Sequence, residues 1–424
     1  MTKAERIKIA ILQTKEKRRQ QIARVYQLKL QNLSKNDKEK LNRLFLEAKW
    51  LYNYIITNVE DHLDDNAWKL REVEIKTPKG IEKREIKTLS SQMRQSIVDR
   101  IKQNLLALKK AKQKGIKVGK LNFVSNVKSI PLKQFNITYK IDREKNRVKL
   151  QRIKKKFRIL GLTQIPEDAD FSNAMLIKKP SGFYIFVTCY IPKEKATKEI
   201  KDKQTTQPLG VDLGIKHQLT LSTGQKFSWY IPETKRLKKL QKTLSRKQKN
   251  SVNYLRIKAK IEKEWERICN RRKDILNKTV AYLKHFSFIA VQNDSVKSWH
   301  SGWYGKQVQN TGVGGITARL KRLATLMPVV FIDRFEPTTQ ICSSCRHRQK
   351  LSLSERMFRC PKCGLIMDRD VNAAKNILKK ALADCFKSAL PVDCGEVTPV
   401  ERKTSASRFM GCKPGLCEAG SPSL

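Results

Sequence analysis

Four cysteines, placed as Cys342-x-x-Cys345 and Cys360-x-x-Cys363, constrain this chain more than any other feature. Each pair forms a knuckle that can bring two thiolates to one tetrahedral metal ion, and the 14 residues between the pairs suit a β-hairpin. The expectation is a structural Zn²⁺ held by Cys342, Cys345, Cys360 and Cys363. With all four positions filled by protein, such a metal has no open site for catalysis and acts as a staple. Cys189, Cys269, Cys385, Cys394, Cys412 and Cys417 follow no pattern and read as packing or incidental residues. A large basic chain without a secretory leader argues against disulfides.

Charge gives the second constraint. Lys and Arg number 90 against 39 Asp and Glu, a net charge of +51 over 424 residues. Such an excess repels itself in the folded state unless a polyanion neutralises it. The basic residues recur along nearly the whole chain, which implies long tracks of phosphate contacts and steep salt dependence. No basic amphipathic anchor, apolar leader or uninterrupted apolar run of membrane-spanning length is present, so no membrane partner is expected. The class implied is a cytoplasmic nucleic-acid-binding protein, nucleoid-associated when bound.

Hydrophobic periodicity divides the chain. Residues 1–33 are basic and periodic enough to be partly helical. Leu41, Leu44, Phe45, Ala48, Leu51, Tyr52 and Ile55 recur at helical spacing after the capping candidates Ser34 and Asn36. A second helix follows Ser90 or Ser91, with Met93, Ile97, Ile101, Leu105 and Leu108 on one side. Residues 64–88 read as a loop or a short hairpin. From about 121 the period shortens to two. Phe135, Ile137, Tyr139 and Ile141 read as a half-buried strand, with further strands at 148–150, 157–160, 175–177 and 183–187. The polar run 192–207 reads as a linker. Apolar strands are then expected near 209–215, 218–221, 227–230, 286–291 and 329–332. A basic helical pair at 233–285 breaks near 249–251, and further helices are expected at 316–326 and 371–383. Strands followed by alternating helices and strands make an α/β domain. The Pro-, Gly- and Ser-rich segment beyond Asp384 reads as disordered.

Several acidic residues sit at predicted strand or helix ends. Asp212 lies in Gly210-Val-Asp-Leu-Gly-Ile215, and Asp368 and Asp370 lie in Asp368-Arg-Asp-Val-Asn-Ala-Ala-Lys-Asn-Ile377. Each alone is an ordinary turn or capping residue. Their succession around a basic helical pair, a buried strand ending near 292 and the four-cysteine segment resembles the split RuvC nuclease domain of the TnpB family, relatives of compact type V CRISPR effectors. The phrases Glu396-Val-Thr-Pro-Val-Glu401 and Glu418-Ala-Gly-Ser-Pro422 resemble TnpB C-termini as well. The resemblance is close over 207–424 and one of layout only before that.

The resemblance implies three carboxylates holding two Mg²⁺ ions, because hard divalent ions want carboxylate oxygen and an ion pair can activate water and stabilise the leaving oxygen. Asp212 matches the first carboxylate and Asp370 the third, with Asp368 the weaker alternative. Gln292, in Ile289-Ala-Val-Gln-Asn-Asp294, stands where the family has Glu, with its shape but no charge. Two explanations stay open: a Glu→Gln exchange that traps an uncleaved complex, or a member that binds DNA without cutting it. Asp294 would share a strand face with Gln292 if the strand continues, but a displacement of about 7 Å along the strand disfavours rescue by it. In this family design, Lys235, Arg236, Lys239, Arg246, Lys247, Arg271 and Arg272 would line a groove for a guide–target heteroduplex. Trp299 and Trp303, in a Gly-rich segment, would stack single-stranded bases, with core packing the equal alternative.

The expected fold is α+β and multidomain. A recognition half at 1–206 contains a helical REC-like bundle at about 34–115, a β-barrel-like wedge at about 121–191 and the linker 192–207. A RuvC, RNase H-like α/β domain follows at 207–337 and 367–384, with an inserted zinc ribbon at 338–366 and a tail at 385–424. The expected partners are a guide RNA and double-stranded DNA bearing a short flanking motif. The rival readings are a nuclease-dead RNA-guided repressor, a DNA transposase that needs no guide, and an RNA-binding structural protein.

Overall fold

The computed structural model describes residues 2–64, 66–77, 80–301, 305–352 and 354–389. In chain order the first half contains α1 (Lys3–Arg19), β1 (Gln21–Gln31), α2 (Lys35–Thr57), a single turn α3 (Val59–His62), β2 (Glu72–Thr77) and β3 (Gly80–Glu85). It continues through α4 (Ser91–Gln113), β4 (Ser129–Leu132), β5 (Tyr139–Asp142), β6 (Arg147–Leu150), β7 (Lys156–Leu160), β8 (Asp170–Lys179), β9 (Gly182–Pro192) and α5 (Lys193–Lys201). Helix α2 starts where Ser34 accepts from Asp37 N while the Asp37 carboxylate accepts from Ser34 N, a reciprocal cap that satisfies two orphan donors. Its apolar face and that of α4 pack onto a seven-stranded sheet ordered β4-β8-β9-β1-β7-β6-β5. Leu28, Leu30, Tyr139, Leu176 and Ile185 line the sheet side of that core, and Leu41, Leu44, Met93 and Ile101 line the helix side.

Several expectations are refined here. Of residues 1–33, read as partly helical, α1 is helical, whereas 21–31 form the central strand β1, paired with β9 from Gln21↔Pro192 to Lys29↔Tyr184. The segment left open at 64–88 holds the β2–β3 hairpin. The alternation at 135–141 yields strand only from Tyr139, and Ile137 is exposed, because the chain turns through Asn136 at φ 65°. Part of the expected linker is helix α5, whose Ala196 and Ile200 are buried.

The second half contains β10 (Pro208–Leu213), β11 (Leu219–Leu221), β12 (Lys226–Phe227), α6 (Lys235–Ser245), α7 (Val252–Leu283), β13 (Phe288–Gln292), α8 (Val296–Ser301), α9 (Gly305–Thr311), α10 (Gly314–Leu323) and β14 (Val329–Ile332). The hairpin strands β15 (Met357–Arg359) and β16 (Ile366–Asp368) lead into α11 (Arg369–Ala389). The five-stranded sheet runs β12-β11-β10-β13-β14, antiparallel on one side of β10 and parallel on the other. Side-chain alternation gives it two buried faces. Leu209, Val211 and Val291 face α7 and α10 through Leu276, Val280 and Leu320. Ala290 and Ile332 face α11 through Ile377 and Ala381. Helices α6 and α7 pack on each other through Leu237, Ile261 and Ile268. The helix expected at 371–383 runs on to Ala389, so the first five residues of the expected disordered tail are helical. The rest of that segment, 390–424, lies outside the described residues. No helix of the described residues is long and apolar enough to cross a membrane.

Candidate active site and cysteine centre

The meeting of β10 with α11 sets the position of the acidic residues. A Cβ on Gly210 would lie 2.0 Å from Ala374 O and 2.9 Å from Leu378 Cβ, so only glycine lets the helix backbone rest on the strand. Asp212 lies two residues beyond Gly210 on the same sheet face, and Asp370 lies four residues, about one turn, before Ala374. The one close contact therefore brings two carboxylates far apart in sequence to the same end of the interface. Burial raises the Asp212 carboxyl well above the usual range, and the negative charges of Asp370, Asp294 and Asp368 push it further, against the opposing pull of Arg369. Asp212 has no hydrogen bond or ion pair among the described residues. Carboxylate oxygens are the donors a hard divalent ion prefers, and the Asp212 carboxylate has no cation of its own among the described residues.

The two acidic candidates on the ribbon side differ in what they already do. The Asp368 carboxylate pairs with the Lys226 ammonium and accepts from Asp370 N at 3.0 Å and Val371 N at 3.2 Å. It starts α11 as a helix cap, and despite its burial these donors hold its carboxyl below the ordinary value. Among the described residues the Asp370 carboxylate meets only Arg369, 3.6 Å away. Asp294 is half-buried, and burial raises its carboxyl. The strand ends at Gln292, so the displacement expected along a continuing strand does not apply, and the Asp294 charge acts on Asp212.

Gln292 is 7 % exposed, and its head group is turned to the segment after β14. Its Nε2 donates to the carbonyls of Asp333, Arg334 and Glu336 at 3.3, 3.1 and 3.0 Å, and its Oε1 accepts from Thr338 Oγ1 at 3.0 Å.

The cysteine centre is local. All four Sγ atoms lie within 4.8 Å of one another, with Cys342–Cys363 at 3.6 Å and Cys345–Cys360 at 3.5 Å. A tetrahedral Zn²⁺ with bonds of about 2.3 Å needs sulfurs about 3.8 Å apart, so the set fits zinc, and none of the four is in a disulfide. The two knuckles are built alike. Arg346 N donates to Cys342 O, and Gly364 N donates to Cys360 O, with Arg346 at φ 63° and Gly364 at φ 69° closing the turns. Against the burial that would raise it, N–H donors from Cys363 and Lys362 bring the Cys360 thiol down to about 6, toward the thiolate a metal needs.

Among the basic residues, Lys235, Arg236, Lys239, Arg246, Lys247 and Arg271 are exposed on or next to α6 and α7. Arg272 differs. Its guanidinium donates to Ile231 O at 2.7 Å and to Asn310 Oδ1 at 2.9 Å, which makes it an internal clamp rather than a groove contact. Trp299 is half-buried against the α/β core, the packing alternative, and Trp303 lies outside the described residues. Sequence reasoning missed Gly210 as the seat of α11 and the Gln292–Thr338 contact. The small residues Gly210, Ala373 and Ala374 were the available signal for close packing.

Comparison with known proteins identifies the class this architecture resembles. Residues 190–286 match the OrfB_IS605 family model, described as "Probable transposase", and residues 320–377 match the "Cas12f1-like, TNB domain". A protein of Streptomyces pristinaespiralis named "Putative RNA-guided DNA endonuclease" is 32% identical over 230 residues, covering 52% of this chain and 55% of that protein. The InsQ protein of Escherichia coli, with the same description, is 31% identical over 193 residues, covering 40% of this chain and 48% of its own. The chain thus spans about half the length of the curated relatives it matches. Among solved structures, a Cas12f1–sgRNA–target DNA complex aligns over 81% of this chain and 83% of its own at 16% identity and TM-score 0.42. The resemblance to TnpB-type proteins and to CRISPR-related Cas12 relatives therefore holds in the two matched segments, which contain α6, α7, the cysteine centre and the start of α11.

Proposed function

We propose that this chain is an RNA-guided DNA endonuclease of the TnpB type, with Asp212 and Asp370 as carboxylate ligands of the divalent ions that cleave phosphodiesters. The observation that carries the reading is the seating of α11 on Gly210, which brings together two carboxylates from separate family segments. The ions, when bound, supply a polarised water and stabilise the leaving oxygen. The residues of the chain hold and orient them: Asp212 from a central strand, Asp370 from a helix fixed by the Asp368 cap. Cys342, Cys345, Cys360 and Cys363 hold a structural Zn²⁺. Exposed Lys235, Arg236, Lys239, Arg246, Lys247 and Arg271 offer charge to the backbone of an RNA–DNA duplex. The half spanning 1–206 recognises RNA and a short flanking DNA motif, and 207–384 carries the nuclease core around the ribbon 338–366. A three-layered α/β/α core, with helices on both sheet faces, supports the RNase H-like reading.

A second reading, a nuclease-dead RNA-guided repressor, is favoured by one observation: the side chain at 292 is an amide that faces the backbone of 333–338. The test is Mg²⁺-dependent cleavage of a guide-matched duplex by the complex purified with its RNA, beside Asp212→Ala and Asp370→Ala, with binding measured in parallel. Cleavage by the parent and its loss in both variants, with binding retained, supports the nuclease. Guide-dependent binding without cleavage by the parent supports the repressor. Binding that survives removal of RNA supports a transposase.

A further inference from the structure

The Gln292 head group has a role that a glutamate could not fill. Its two amide protons are spread over three backbone carbonyls, and its one oxygen takes the Thr338 hydroxyl. A carboxylate has no proton to donate, and at this buried place it would confront three carbonyl oxygens at about 3 Å. The segment it grips is also gripped from the opposite side. Asn376 Nδ2 on α11 donates to Thr338 O at 2.8 Å and Ile341 O at 2.6 Å, and Asn372 Nδ2 donates to Ile341 O at 2.7 Å. Asn372 Oδ1 accepts from Ser343 N at 2.8 Å, and Lys380 pairs with Glu336 at 2.8 Å. Residues 333–343 therefore form a strap, with the end of β13 tied to one side and the helix carrying Asp370 tied to the other. The strap leads straight into the first cysteine knuckle.

We infer that Gln292 is a positioning residue, a clasp that holds β13 to the strap between β14 and the ribbon. It follows that Gln292→Glu, which the resemblance would suggest as a repair, damages the chain instead.

The test uses the full chain with its RNA and two readouts besides cleavage: thermal unfolding and Mn²⁺ binding, followed by the Mn²⁺ electron paramagnetic resonance signal. Gln292→Glu should lose several degrees of Tm at pH 7 and gain no Mn²⁺ affinity. Its deficit should shrink as pH falls, because the introduced carboxyl, facing carbonyls, regains a donor on protonation. Thr338→Val should lose Tm less and without pH dependence. Unchanged Tm with tighter Mn²⁺ binding in Gln292→Glu overturns the clasp and makes 292 a lost ligand position. Absence of Mn²⁺ binding by the parent overturns the nuclease reading, while the Tm series still decides the clasp.

Discussion

The chain contains a cysteine constellation that fits a metal ion and an acidic cluster proposed to take one, and they are built in opposite ways. The cysteine centre takes all its ligands from 22 consecutive positions, closes on itself through two like knuckles, and has a small core of its own around Phe358. The acidic cluster draws on β10, the end of β13 and the first turn of α11, and exists only because a helix rests on a glycine. A local site depends on spacing, whereas an assembled site depends on packing at a distance. They should therefore fail in different ways.

The largest expected effect is at the local site. Cys360→Ser removes a ligand from a closed tetrahedral set, in which structural zinc binding is worth roughly 10 kcal/mol or more. Zinc content by atomic emission should fall from one per chain to none, and proteolysis should open the ribbon first. If zinc stays bound, the four-thiolate centre is wrong. Gly210→Ala attacks the assembled site. The added methyl meets a backbone carbonyl and a Cβ, neither of which can swing aside, so α11 must move, at a cost of about 3 kcal/mol. This variant should keep its zinc and lose the stabilisation that Mg²⁺ gives the parent in thermal unfolding. Loss of zinc alongside Mg²⁺ would show that the two centres are one cooperative unit.

The same contrast explains how much could be read from the sequence. Two Cys-x-x-Cys pairs state their own geometry, so the cysteine centre needed no fold. The helices α2, α4, α6 and α7 were legible because their apolar residues recur at helical spacing. Strand β1 was not. Ile22, Tyr26, Leu28 and Leu30 do alternate, but Arg24 occupies the same face, and the basic residues of α1 run into it without a break. Asp212 and Asp370 could be named through resemblance, yet nothing local says that they meet; that information lies in Gly210 and Ala374. The Gln292 contacts were hidden for a further reason. Substitution of Gln for Glu reads as lost charge, and the gained donor has meaning only once the carbonyls of 333–336 are in place.

A third carboxylate sharpens the comparison with the smallest effect. Asp37 is more deeply buried than the cluster residues, and it is satisfied by its own neighbours: Ser34 N and the Lys155 ammonium at 2.6 Å. The bond from Lys155 is the main cause of a carboxyl held down at about 2, with the Ser34 cap opposing the burial that would raise it. A folded-state value below the ordinary 3.8 means stability that is fully present above about pH 4 and lost as pH falls through about 2. Asp37→Asn should thus cost about 1 kcal/mol at pH 7, by the same amount with and without Mg²⁺. The gap from the parent should close between pH 4 and pH 2 in urea unfolding. A cost that instead depends on Mg²⁺ would place Asp37 in the same energetic unit as the acidic cluster and undo the distinction between a carboxylate satisfied by protein and one that waits for a cation.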